Sequence, residues 1–257
     1  FASALHAGTI HMLHQVDAGV LHHSFRTADH SRTPDAWAVR DDTVATPGEP
    51  PVQVTSLTAR PDGSLVGVYG GPNRIHYKIR GPDGTWGTDT TVPSKTGDAL
   101  SGPQTTLGAD GTVHLAYPRR DGTGWHRRIR EDGRLSPPTH ITSNLGTTEA
   151  DIGAILPLVH LPESNTTVLL YRRASGQLWA RRMADNGALS RPVQVTERPV
   201  VQSAVDSDQV GADAVAIGTS VHVLFIEAGT GRLYHTSSPR RGEWRTATVQ
   251  VDSVDAQ

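Results

Sequence analysis

Two sets of side chains in this 257-residue sequence are of types that could do chemistry. The first is acidic. Asp151 and Asp208 open runs of small residues, at places where Gln53 and Ser101 stand in other copies of the same run, and Asp98, Glu149 and Asp206 lie just upstream. Carboxylates that share a cavity push one another's pKa values apart, the condition for acid and base roles on a glycosidic bond. The same oxygens could instead solvate a channel mouth or hold a structural calcium ion; no other cofactor is expected. The second set is basic. Arg119, Arg120, Arg127, Arg128 and Arg130 are answered about fifty residues on by Arg172, Arg173, Arg181 and Arg182. Guanidinium forks on neighbouring elements could grip a carboxylate or sugar hydroxyls, or simply pair with surface carboxylates. Six histidines crowd the first thirty residues, but His11 and His14 are three apart, which on a strand points them to opposite faces. They read as packing rings, since zinc would need ligands from elsewhere.

The elements that must hold these groups repeat. Residues 111–142 read as three strand-like runs parted by Asp-Gly turns, and the phrase recurs. One run ends in a ring at His14, Tyr69, Tyr117, Tyr171 and Phe225. The next opens with Leu21-His22, Ile75-His76, Trp125-His126, Leu178-Trp179 and Leu233-Tyr234. A third carries one large anchor, Trp37, Trp86, Leu135, Leu189 or Trp244, every 49 to 55 residues. A less regular run of small residues precedes most units, at 52–59, 100–107, 151–159 and 210–217. Short β-branched runs bounded by Gly, Pro, Asp and Asn are strands, and a self-similar period of this size signals a propeller or similar array. Small residues suit strands converging on an axis, and bulky rings suit the wider rim. The expectation is all-β: a closed five-bladed propeller with four antiparallel strands per blade. The blades fall at about 1–47, 48–96, 97–146, 147–199 and 200–257 of a single domain. Truncating the anchor Trp86 should be strongly destabilising.

Composition excludes several classes. The net charge is −2, and of 24 basic residues only Lys78 and Lys95 are lysine, with no like-charged block. That predicts no nucleic-acid partner. Without cysteine there is neither disulfide nor thiolate chemistry. No apolar run reaches the ~18 residues of a membrane span. The arginine-for-lysine skew suggests a GC-rich bacterium, such as an actinomycete. The start at Phe1 suggests a removed signal and a secreted, extracellular protein.

The phrases GVLHHSFR, GQLWARR and GRLYHTSS, with their tryptophan anchors, resemble those of secreted bacterial β-propeller lectins and the wider sialidase-like repeat families. GPDGTWG at 81–87 resembles part of the Asp-box of sialidase-type propellers, with Gly81 at the Ser position and Trp86 one residue early. That box is a turn and speaks for fold. The resemblance implies binding of a glycan or polysaccharide in pockets between blades or at the rim. There, rings stack on a pyranose while arginine bonds its hydroxyls. Residues of the right types are Tyr77, Trp125, Trp179 and Tyr234 with Arg80, Arg128 and Arg181. The leading expectation is a non-catalytic lectin, with one to three sites, serving as the targeting part of a secreted toxin or adhesion assembly. An enzyme is the alternative: a hydrolase using the five carboxylates, or a uronate lyase drawing on His114, His222, Tyr117 or Tyr171. A protein-binding scaffold is the third.

Overall fold

The computed structural model describes residues 2–16, 19–26, 42–45, 53–71, 74–93, 102–119, 121–145, 157–201, 211–239 and 243–251. They form five four-stranded antiparallel sheets, each from strands consecutive in sequence. Sheet 1 holds Ala2–His6, Thr9–Val16, Gly19–Arg26 and Asp42–Ala45. Sheet 2 holds Gln53–Ala59, Leu65–Gly71, Arg74–Arg80 and Thr90–Thr91. Sheet 3 holds Gln104–Leu107, Val113–Pro118, Gly124–Ile129 and Thr139–Thr142. Sheet 4 holds Val159–Leu161, Thr166–Arg172, Leu178–Ala184 and Val193–Gln194. Sheet 5 holds Ala212–Ile217, Ser220–Ile226, Leu233–Ser238 and Thr248–Val251.

The Asp-Gly phrases make the tight turns. At Asp62-Gly63-Ser64 the carboxylate accepts the Ser64 N–H at 2.9 Å and its hydroxyl at 2.7 Å, while Gly63 takes φ 87°. Asp110-Gly111-Thr112 repeats this with φ 77° at Gly111. A side-chain acceptor two residues back and a glycine in the left-handed region are what such a reversal requires. Of the run expected at 151–159, residues 151–156 lie outside the described residues; the first strand of sheet 4 spans Val159–Leu161, and a 3-10 turn, Pro162–Ser164, follows it. Pro162 has no N–H to give a ladder, so the strand stops at Leu161.

Each interior lies between sheets. Val66 and Val68 of sheet 2 meet Val113, Leu115 and Tyr117 of sheet 3. Ala116 of sheet 3 meets Leu169 and Tyr171 of sheet 4, and Val168 and Leu170 of sheet 4 meet Val221, Val223 and Phe225 of sheet 5. Leu13 of sheet 1 packs with Leu57, Leu65 and Tyr69 of sheet 2. The second strands of sheets 2, 3 and 4 are therefore buried on both faces, as strands between two neighbours must be. First strands approach one another through small side chains: Ser56 and Thr58 each lie within hydrogen-bond reach of the Thr105 hydroxyl, at 2.5 and 2.6 Å.

Trp86 fills the boundary between sheets 1 and 2, edge-on to His22 with ring centres 5.5 Å apart. Gly67 makes room for it, because a methyl group there would meet Leu13 at 2.8 Å and Trp86 at 3.4 Å. Trp86 is half-buried, so Trp86→Ala should cost about 2–3 kcal/mol, below the range for a wholly buried ring. Urea denaturation checks this, and an unchanged midpoint would remove Trp86 from the core.

Candidate functional site

Pairing registers settle which residues are equivalent. The ring ending each second strand faces the third strand as His14 with Leu21, Tyr69 with His76, Tyr117 with Trp125, Tyr171 with Trp179 and Phe225 with Tyr234. The sequence phrases therefore align one residue out of step in two units: Trp125, not His126, matches Trp179 and Tyr234. Because side chains alternate, that one residue decides the face. His126 turns to the next boundary and meets His114 in a tilted pair, His126 Nε2 lying 3.0 Å from His114 Nδ1. His11 with His22 and His222 with His235 form the same pair at 3.1 and 3.0 Å. In each, a ring nitrogen of one imidazole is hydrogen-bonded to a ring nitrogen of the other.

The arginines cross the sheet boundaries. Arg60 donates to the carbonyls of Ile129 and Arg130, and Arg127 to those of Pro93 and Ser136. Arg128 reaches the Asp185 carbonyl at 2.6 Å, Arg181 that of Ile141 at 2.7 Å, and Arg182 that of Pro239 at 3.0 Å. A guanidinium has five donors in a rigid fork, so it can tie two backbones together where lysine offers one point charge. These arginines on adjacent sheets converge on backbone carbonyls.

The expected ring-and-arginine set is scattered. Tyr77 is buried between sheets 2 and 3, donating to the Gly133 carbonyl at 2.8 Å, and burial pushes its phenol pKa up. Tyr234 is buried between sheets 4 and 5. Trp125 and Trp179 are half-buried, each with a guanidinium over the ring: Arg119 at 4.3 Å and Arg173 at 3.5 Å. Arg80 ends the third strand of sheet 2 beside Gly84. Of the set, Arg128 lines a cleft of about 670 Å³ at the rim of sheets 3 and 4, with Asp110, Glu131, Asp132 and Asn186. Asp98, Glu149, Asp151, Asp206 and Asp208 lie outside the described residues. Tyr117 and Tyr171 are fully buried and His114 nearly so, which withdraws them from any polymer substrate. Among the described residues no group of three or more metal-ligating side chains gathers.

A different place combines what sugar chemistry asks for. A groove of about 330 Å³ between sheets 4 and 5 is lined by Gln194, Thr196, Glu197, Arg198, Trp244 and Arg245, among others. Trp244 packs on the sheet 4–5 core by one side and remains half-exposed. Arg198 spans the boundary, its Nη1 2.5 Å from Glu227 Oε1 and its guanidinium carbon 5.1 Å from the Tyr234 ring centre. Glu227 is buried, and its Oε2 accepts Thr230 Oγ1 at 2.6 Å and the Tyr234 hydroxyl at 3.3 Å. The Thr230 hydrogen bond, then Arg198, hold its carboxyl below the usual range. The result is a cation oriented by a buried carboxylate, lining the same groove as an indole. Sequence reasoning missed Arg198 and Glu227 because they flank no repeat phrase. It took Trp244 as a rim anchor, and the structure gives that ring an open side as well.

No protein-family model and no curated relative matches the sequence. Solved structures do. SapL1 lectin, determined with α-methyl fucoside, superposes with a TM-score of 0.61 at 11% identity, over 97% of this chain and 81% of that one. A mutant of the Aleuria aurantia lectin, determined with α-methyl-L-fucoside, gives 0.61 at 12% over 99% and 78%. A candidate 6-phosphogluconolactonase from Bacteroides uniformis gives 0.63 at 13% over 97% and 71%. At these identities the likeness is one of architecture: an all-β propeller of four-stranded antiparallel sheets. No helix among the described residues is long and apolar enough to cross a membrane.

Proposed function

We propose that this chain is a carbohydrate-binding propeller domain, a lectin, whose site is the groove between sheets 4 and 5. One observation carries the reading: the half-exposed Trp244 ring shares a 330 Å³ groove with Arg198, itself held by the buried Glu227 carboxylate. A pyranose has an apolar face that stacks on an indole and hydroxyls that pair with guanidinium and carboxylate groups. The prior Arg198–Glu227 contact lowers the entropy lost on binding, because the cation is already oriented. Two of the structural neighbours were determined with α-methyl fucoside, which makes it the first sugar to try. A single shallow groove gives weak monovalent affinity, and repeated presentation would supply avidity.

The test is a glycan array followed by calorimetry with methyl α-L-fucoside and the best array hit. Trp244→Ala should weaken binding by about 1–2 kcal/mol, a factor of roughly five to thirty, with the fold intact. Arg198→Ala should abolish detectable binding. Full affinity in both variants would overturn the site. Appearance of reducing ends or unsaturated uronates from a bound polysaccharide would make the protein an enzyme instead.

A further inference from the structure

Four sheet boundaries are closed by one rule, and the two ends of the series break it. The second-strand residue facing the next sheet is Leu13, Val68, Ala116 or Leu170 in sheets 1 to 4, each 0–1% exposed. Its counterpart in sheet 5, Leu224, is 46% exposed. Beside it on that face the first strand leaves Val215 and Ile217 at 55% and 59%. The histidine pair follows suit: it is buried in sheets 1 and 3, whereas His222 and His235 are half-exposed. Sheet 1 is open on the opposite side. Leu5 is 66% exposed, and Ile10, Met12 and His14 are half-exposed where Val113, Leu115 and Tyr117 of sheet 3 are fully buried. Among the described residues no apolar cluster joins sheet 5 to sheet 1.

We infer that the space between sheets 5 and 1 is an interaction site for one further four-stranded sheet of this same repeat. The occupant's chemistry follows from the boundaries already built. Towards Leu224 it must present an aliphatic and aromatic face like Val113, Leu115 and Tyr117. Towards Leu5 it must present a second-strand aliphatic like Leu170, and a large apolar side chain must close over His235 as Trp86 closes over His22. Covering three exposed aliphatics and a histidine pair is favourable by the ordinary transfer of apolar area from water. The solved propellers fit this: the chain spans 71–81% of them, leaving length for at least one more unit.

The test uses the full chain, alone and extended by a copy of its own residues 97–146 or, as a second donor, 48–96. Alone, it should be monomeric, bind a hydrophobic dye, and exchange amide hydrogens faster in 220–226 than in 113–118. Extension should abolish dye binding and slow exchange in 220–226 by about tenfold or more. Leu224→Asp should then restore dye binding in the extended chain while leaving the melting of the unextended one unchanged. Three results would overturn the inference: 220–226 already protected in the monomer, a dimer of the unextended chain that Leu224→Asp dissociates, or exchange unaltered by both donors.

Discussion

Between pH 6.5 and about 4 the protein should lose stability steadily, by about 3 kcal/mol from His114 alone. Burial is the main cause: it lowers this imidazole to about 4, with smaller contributions from Arg128 and His160 that Asp110 partly offsets. His126, deeper still, is lowered well below its ordinary value by burial, then by His114 and Arg128. The sign follows from linkage. An unfolded histidine takes its proton near pH 6.5, whereas the folded ring resists until about 4, so the unfolded state binds more protons across that window. The contribution is whole above pH 6.5, falls as pH drops, and is gone below the folded value. The hydrogen bond between the rings sharpens this, because protonating both would place two donors 3.0 Å apart. Asp62, lowered first by its bonds to Ser64, and Asp110, which burial raises but its bonds to Thr112 lower by more, lose their contribution at still lower pH. Urea midpoints at half-unit steps from pH 7 to 4 check the window, and His114→Gln should flatten the slope. A midpoint unchanged between pH 7 and 4.5 would mean that the rings are hydrated and charge freely.

Tyr117→Ala should destabilise by about 3–5 kcal/mol, the range for truncating a buried aromatic ring. The ring is fully buried among Val66, Val68 and Leu115 in the core between sheets 2 and 3. Its hydroxyl accepts Arg127 Nε at 3.3 Å, and Arg127 in turn holds the Pro93 carbonyl across the boundary. Tyr117→Phe keeps the packing and leaves one guanidinium donor short of a partner, so it should cost only about 1 kcal/mol. The pair of variants separates ring from hydroxyl in one denaturation series. Equal losses would show that Tyr117 acts through Arg127 and not through packing.

Strand content, the four-stranded antiparallel unit and the rings that end each second strand were legible in the sequence. Those features are local: strand periodicity, Asp-Gly turn chemistry and a recurring length survive in one dimension because each unit folds mainly upon itself. Tyr69, Tyr117, Tyr171 and Phe225 all stand where the repeat places them. Register was legible only to within one residue, and one residue turns a side chain to the other face; hence His126 proved to be the partner of His114, and Trp125 the ring that matches Trp179. Tertiary structure alone decided which arginines are used up as ties between backbones and which, like Arg198, remain turned to a groove. It also decided that Leu224 stands open while its four counterparts are covered. Both are properties of boundaries between sheets, and a boundary joins residues that no local pattern brings together.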